Sequence, residues 1–335
     1  TWIPQIRAST RNAGEVFVVF DNHRRDDITP YLYHSKDYGK TWKRLADENK
    51  VWGHALSFAQ DPEEERLMFL GTEFGLYVSI DAGANWTKWT NGFPTVSTMD
   101  LVIHPREQDL VIGTFGRAFY VLDDIRPLRS LAKESGQILE RPLVAFNPPD
   151  AVLAQIRQAA GTRFSAQGMY QGENRPFGAM ISYSVGEVKM KQKPKKEGQD
   201  RVEPEPSESR SGTMAIKQSE KEAPKDTLKV KVEILNSKQE VIRTFKTTPK
   251  PGLNRVQWDM RRKGVRRPGQ RKSKKPDAPE TGGPDVLPGT YTVRFTYGED
   301  KDSTQIKVLS DPRESISLAD RQAKNDLINQ VMKDM

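Results

Sequence analysis

Tyr33-His-Ser-Lys-Asp-Tyr-Gly-Lys-Thr-Trp42 returns 44 residues later as Tyr77-Val-Ser-Ile-Asp-Ala-Gly-Ala-Asn-Trp86. Two other markers keep nearly the same period: Asp61-Pro62 is echoed by His104-Pro105 after 43 residues, and Gly71-Thr72 by Gly113-Thr114 after 42. Around them lie short runs rich in Val, Ile, Phe and Tyr, bounded by turn residues: Glu15–Phe20, Leu67–Leu70, Gly75–Ser79, Leu101–His104, Leu110–Ile112 and Ala118–Leu122. Such runs are strands. Four strands in 42–44 residues make one blade of a β-propeller. Helical-hairpin repeats of similar length need apolar residues at 3.6-residue spacing, which these units lack.

The common string places Ser35, Asp37, Gly39 and Trp42 in one unit and Ser79, Asp81, Gly83 and Trp86 in the next. The Asp can accept hydrogen bonds from backbone N–H groups, the Gly can take a positive φ, and the Trp can close over the hairpin. The string resembles the Asp-box of bacterial-neuraminidase-repeat propellers, a group that includes sialidases, xyloglucanases, the sortilin family and a photosystem assembly factor. In that group the box stands on blade hairpins away from the catalytic face, which implies a structural role for Asp37 and Asp81.

About three units fit before Pro127, and closed propellers have 4–8 blades. The remaining blades are expected upstream in the same protein or from another polypeptide. The stretch Gly113-Thr-Phe-Gly-Arg-Ala-Phe-Tyr-Val-Leu-Asp-Asp-Ile-Arg-Pro127 has the strands but no Asp-box, so the propeller part is expected to end near Leu128. Together with Gly71–Ser79 it resembles the C-terminal blades of sortilin-like, glycosyl-hydrolase-like repeat proteins. That resemblance implies an extracytoplasmic location: periplasmic, cell-surface or secreted.

Residues 129–177 read as a connector with a short helix over Asp150–Gln158. From 178 to 310 the β signal returns, at Ala179–Val185, Leu228–Leu235, Val241–Phe245, Asn254–Asp259, Thr290–Tyr297 and Thr304–Val308. Six or seven short strands suggest an immunoglobulin-like sandwich. Asn254-Arg-Val-Gln-Trp-Asp259 with Leu287-Pro-Gly-Thr-Tyr291 resembles Ig-like domains of the flagellar hook-cap type, with Trp258 and Tyr291 in the core. Insertions at 187–226 and 261–285 interrupt this domain; the first carries ten basic and nine acidic residues with almost no large apolar side chain. Residues 311–335 form a helix that starts at a capping-box-like Ser317 and Asp320. The fold class is therefore all-β: a partial propeller, a sandwich and a short C-terminal helix.

The 335 residues carry a net charge of +8, but Arg261, Arg262, Lys263, Arg266, Arg267, Arg271, Lys272, Lys274 and Lys275 are nine basic residues in one segment. Without them the rest of the chain stands at −1. The segment has no interleaved aromatics and no recognition-helix pattern, which excludes a nucleic-acid reader. It is either a solvated loop or a contact for anionic glycans or acidic envelope proteins. The chain has no Cys, so disulfides, thiolate metal sites and Cys nucleophiles are excluded. No apolar run is long enough to span a membrane.

Glycoside hydrolysis needs two carboxyl groups flanking the bond. Asp37 and Asp81 are used in turns, Asp61 and Asp109 sit in inter-strand turns, and Asp123-Asp124 are adjacent and make a poor chelate. His54 and Arg117 stand where blade loops approach one face, either as contacts on it or as hydrogen-bonded structural residues. With four His residues spread along the chain, no metal site, cofactor or catalytic residue is expected. The reading is a non-catalytic binding scaffold of the cell envelope. The alternatives are the C-terminal part of a carbohydrate-active hydrolase with its catalytic residues upstream, and an assembly factor for a membrane complex.

Overall fold

The computed structural model describes residues 1–154, 175–189, 227–265 and 280–334. The chain is mostly β. Strands β1 (Trp2–Ala8), β2 (Val16–Asn22), β3 (Asp27–Ser35) and β4 (Lys43–Ala46) form one antiparallel meander, here sheet 1. Sheet 2 repeats it with β5 (Ala55–Gln60), β6 (Met68–Thr72), β7 (Gly75–Ser79) and β8 (Thr87–Trp89). Sheet 3 has three strands, β9 (Thr98–Ile103), β10 (Leu110–Thr114) and β11 (Phe119–Leu122). This is a propeller-like arrangement. The first strands of the sheets pack side by side, β1 on β5 and β5 on β9, and Arg7 of β1 reaches 3.5 Å from Asp100 of β9.

The sheets stack because their strands alternate. In sheet 1 the residues Phe17, Val19, Leu32 and Leu45 are fully buried against Phe58, Met68 and Leu70 of sheet 2. The other face of sheet 2 sends Phe69, Leu76 and Val78 against Leu101, Leu110 and Ile112 of sheet 3. Each buried side chain of this size contributes on the order of 2 kcal/mol. Gly71 marks how closely the sheets approach. A Cβ there would overlap Ser57 Oγ and come to 2.6 Å from Thr98 O of the next sheet.

After β11 the chain enters α1 (Arg126–Lys133) rather than a fourth strand. Pro127 suits its first turn, where a missing N–H costs nothing. Leu128, Leu131 and Ala132 of α1, with Ile138, Val144 and Phe146, complete the core between sheets 2 and 3. Leu128, the expected end of the propeller part, therefore lies inside a helix that packs on sheets 2 and 3. A buried ion pair pins that helix. Arg129 Nε donates to both oxygens of Asp61 at 2.9 Å, and Asp61 also accepts from the backbone N–H groups of Glu63 and Glu64 at 2.9 and 2.7 Å.

The second unit has two sheets around one core. The first is β12 (Val144–Ala145), β14 (Ala179–Val185) and β17 (Gly252–Trp258). The second runs in the order β13 (Ala151–Leu153), β21 (Asp300–Ser310), β20 (Gly289–Tyr297), β15 (Val230–Leu235), β16 (Val241–Thr247). All pairings are antiparallel except β13 with β21. Trp258 and Tyr291 meet edge to face at 5.4 Å inside this core. The helix expected over Asp150–Gln158 is corrected in its described part. Ala151–Leu153 is a strand, because pairing with Val308–Ser310 supplies backbone partners that a short isolated helix could not match; residues 155–158 lie outside the described residues. A small hairpin, β18 (Arg261–Lys263) and β19 (Gly282–Asp285), and helix α2 (Leu318–Lys333) follow. Ser317 Oγ caps α2 by accepting from Asp320 N at 3.1 Å. No helix among the described residues is long and apolar enough to cross a membrane.

Removing Arg129 leaves a fully buried carboxylate without its cation. Arg129→Ala is expected to cost about 3–5 kcal/mol in urea unfolding, against less than about 1 kcal/mol for Arg106→Ala at the surface. Equal losses for the two variants would show that the ion pair does not anchor α1.

Candidate functional site

The two hairpins that carry the repeated Ser-x-Asp-x-Gly-x-x-Trp string, β3–β4 and β7–β8, stand at one end of the stacked sheets, and the bonds of their Ser, Asp and Gly residues repeat. Asp37 Oδ1 accepts from Ser35 Oγ at 2.9 Å and from Thr41 N at 2.8 Å. Asp81 Oδ1 accepts from Ser79 Oγ and Asn85 N, both at 2.8 Å. Gly39 N and Gly83 N each donate to the Ser oxygen of their box at 2.9 Å. Tyr38 and Gly39 have φ of 59° and 81°, and Ala82 and Gly83 have 59° and 80°, so both turns need the left-handed region twice in succession. The Trp42 indole closes its own hairpin on Gly39 O at 3.0 Å, whereas Trp86 donates to Leu45 O of sheet 1 at 3.1 Å and ties two sheets together.

These bonds hold the carboxylates ionised. Hydrogen bonds from the Thr41 side chain and backbone bring Asp37 down to about 2. For Asp81, burial alone would raise the pKa, but the bonds from Asn85 and Ser79 outweigh it and the net shift is downward.

At the opposite end lie the turns that carry His54 and Arg117. Glu73 N donates to His54 O at 3.1 Å, Phe115 N to Ser97 O at 2.9 Å, and Ser97 Oγ to Glu73 O at 3.2 Å, so the turns of sheets 2 and 3 are laced together. Arg117 is exposed in the β10–β11 turn. His54 is buried, precedes β5, and stacks on His23 of the β2–β3 turn with ring centroids 4.7 Å apart. His23 Nδ1 stands 2.6 Å from Asp21 Oδ2, and His54 Nδ1 is 3.2 Å from Glu73 Oε2. The four histidines are spread along the sequence, but stacking of sheets 1 and 2 brings two of them, His23 and His54, together from different repeats. Burial would raise the Asp21 carboxyl, but bonds from the His23 backbone and ring, with the His54 ring nearby, hold it below the usual range. The same end exposes Trp52, stacked on Phe74 at 4.2 Å.

The described part of the basic segment is a paired hairpin, not a free loop. Arg261 bonds Asp285 at 3.1 Å, Arg262 bonds Asn325 of α2 at 2.8 Å, and Lys263 stands 3.3 Å from Glu280. Arg266, Arg267, Arg271, Lys272, Lys274 and Lys275 lie outside the described residues. Other carboxylates that chemistry could have used are engaged locally: Asp109 Oδ1 accepts from Asp124 N at 2.7 Å, and Asp124 Oδ1 from the Arg126 guanidinium at 2.7 Å.

Because the folded state lowers the Asp37 pKa, its contribution is full above the ordinary carboxylate value near 4 and is lost as pH falls from about 4 through about 2. In melting curves between pH 6 and 2, Asp37→Asn is expected to melt lower at pH 6 and to lose less than the wild type below pH 4. Asp81→Ala is expected to cost about 1–2 kcal/mol at neutral pH. A variant of Asp37 with an unchanged acid limb would remove the box from the acid response.

The Sortilin-Vps10 family model, described as sortilin, neurotensin receptor 3, matches residues 31–133, from β3 to the end of α1. No curated protein matches the chain. Among solved structures it is similar to a GH74 enzyme of Niastella koreensis, at a TM-score of 0.32 and 18% identity, with 55% of this chain and 28% of that chain covered. It is also similar to the GH74 xyloglucanase of Xanthomonas campestris, at a TM-score of 0.30 and 12% identity, covering 90% of this chain and 38% of that one. The chain thus spans well under half the length of either enzyme.

Proposed function

We propose that sheets 1–3 are consecutive blades of a β-propeller completed by further blades of the same kind, and that the assembled protein is a non-catalytic binding scaffold of the extracytoplasmic envelope. The observation that carries this reading is the chemistry of the two outer faces of the stack. In sheet 3, Val102, Phe119 and Val121 point away from sheet 2 and are 47%, 70% and 45% exposed. In sheet 1, Ile6 points away from sheet 2 at 63% exposure, and Phe20, Tyr31 and Tyr33 on the same face line a hollow of about 450 Å³. These are the same residue types that the inner faces bury.

Gly113 adds an independent clue. It occupies in β10 the place Gly71 holds in β6, facing outward, yet a Cβ there would meet nothing closer than Asp100 Cβ at 3.6 Å. A glycine kept where nothing presses on it is explained by a further sheet approaching as sheet 3 approaches Gly71.

A binding role is supported by the commitment of Asp37, Asp61, Asp81, Asp109 and Asp124 to turns and ion pairs, and by a family match to a receptor over the blade region. The second unit reads as an immunoglobulin-like sandwich, a common spacer and adhesion module. Its basic segment 261–275 supplies a contact for anionic glycans or acidic envelope proteins through residues beyond the paired Arg261–Lys263.

Native mass spectrometry and peptide mapping of the protein from its source are expected to give a mass above 38.0 kDa with additional Asp-box hairpins. Phe119→Asp with Val121→Asp is expected to weaken the joint with those blades, seen as faster amide exchange in β9–β11, while the bonds of sheet 1 stay protected. A 38.0 kDa monomer with an outer face indifferent to these substitutions would overturn the reading, as would turnover of a glycan panel for its non-catalytic part.

A further inference from the structure

Asp21 and His23 belong to the first repeat and His54 to the second, yet one ligand atom from each lies within 4.8 Å of the other two. Asp21 is buried at 5% exposure, and its two oxygens stand 2.7 and 2.6 Å from His23 Nδ1. The decisive member is His54. Its side chain is 9% exposed, and its Nδ1 makes no hydrogen bond although Glu73 Oε2 is 3.2 Å away. A buried ring nitrogen that faces a carboxylate without bonding it asks for an explanation, since burial strips it of water and leaves its hydrogen bond unmade.

We propose that Asp21, His23 and His54 form a divalent-metal site that clamps sheet 1 to sheet 2, with Glu73 supporting His54 from behind. Two imidazoles and one carboxylate suit a borderline ion, Zn²⁺ foremost, with water in the fourth position of a tetrahedron. Metal-bound histidines commonly direct their second ring nitrogen at a carboxylate, the place Glu73 holds beside Nδ1 of His54. With the ion bound through the other nitrogen of that ring, Nδ1–H turns to Glu73 and the unpartnered atom is satisfied.

One adjustment is required. The His23 and His54 rings are nearly parallel, at 23°, and parallel rings cannot both aim in-plane lone pairs at one ion. His23 can make the move, because its side chain is 43% exposed and sits on a three-residue turn. Leaving the stack also opens its contact with Asp21 from 2.6 Å toward the roughly 3.3 Å that two ligands of one tetrahedral ion need.

The chain has no Cys and four His, so a few variants assign the site. Chelator-treated protein titrated with Zn²⁺ in a calorimeter is expected to take up one ion per chain, with a dissociation constant of about 1 μM or below, and to melt several degrees higher when saturated. Co²⁺ in place of Zn²⁺ is expected to give the intense visible absorption of a tetrahedral site. His23→Ala, at an exposed position where folding is not at stake, is expected to weaken binding about 100-fold or more. Glu73→Gln is expected to weaken it about 10-fold, and His104→Ala to leave it unchanged. Failure of the folded protein to take up Zn²⁺ stoichiometrically would overturn the proposal. So would uptake that persists unchanged in both His23→Ala and Asp21→Asn.

Discussion

A sheet of four short strands has two faces, and the structure depends on how closely the face of one sheet can approach the next. At Gly71 the approach is so close that no side chain fits between its backbone, Ser57 and the Thr98 carbonyl. Ser57 Oγ uses the proximity to donate to Thr98 O at 2.9 Å, and the large apolar residues Phe69, Leu76, Leu101 and Ile112 are buried together in the same seam. Close packing of this kind tolerates little volume change. It also dictates the rest: the turns at one end converge into a shared surface, the Asp-box hairpin of sheet 2 lies against Leu45 of sheet 1, and α1 is drawn into the seam between sheets 2 and 3.

What could be read from the residues follows from the range of the interactions. The turn of the repeated string is legible because the bonds among its Ser, Asp, Gly and Thr residues span no more than four positions, so the spacing of Ser35, Asp37, Gly39 and Thr41 already contains the geometry; the Trp86 bond to Leu45, 41 residues away, is not legible in that way. The strands of sheets 1–3 are legible because their alternation is local, and Gly75–Ser79 is found where the pattern places it. The His23–His54 stack is not local. No spacing rule connects a turn after β2 with the start of β5, and only the stacking of two repeats creates the neighbourhood. The same is true of Arg129 and Asp61, 68 residues apart, of whose pairing the sequence shows only an Asp-Pro turn.

The second unit shows where pattern and topology part. Its strands from Ala179, Val230 and Gly289 announce themselves by alternating apolar residues, and Trp258 and Tyr291 lie in the core as their setting in strands suggests. Ala151–Leu153 carries no such signature. It becomes a strand because the edge of β21 offers it a row of unpaired backbone groups, an outcome that three residues cannot encode by themselves.

That parallel pairing also differs in range from the pairings of sheets 1–3. Sheets 1–3 join strands that are neighbours in sequence, so the pairings within each sheet are local. The second unit is different: β13 finds its partner only in β21, the C-terminal strand of its sheet. A strand pair this far apart in sequence closes a long loop, so the second unit depends on a contact that sheets 1–3 do without.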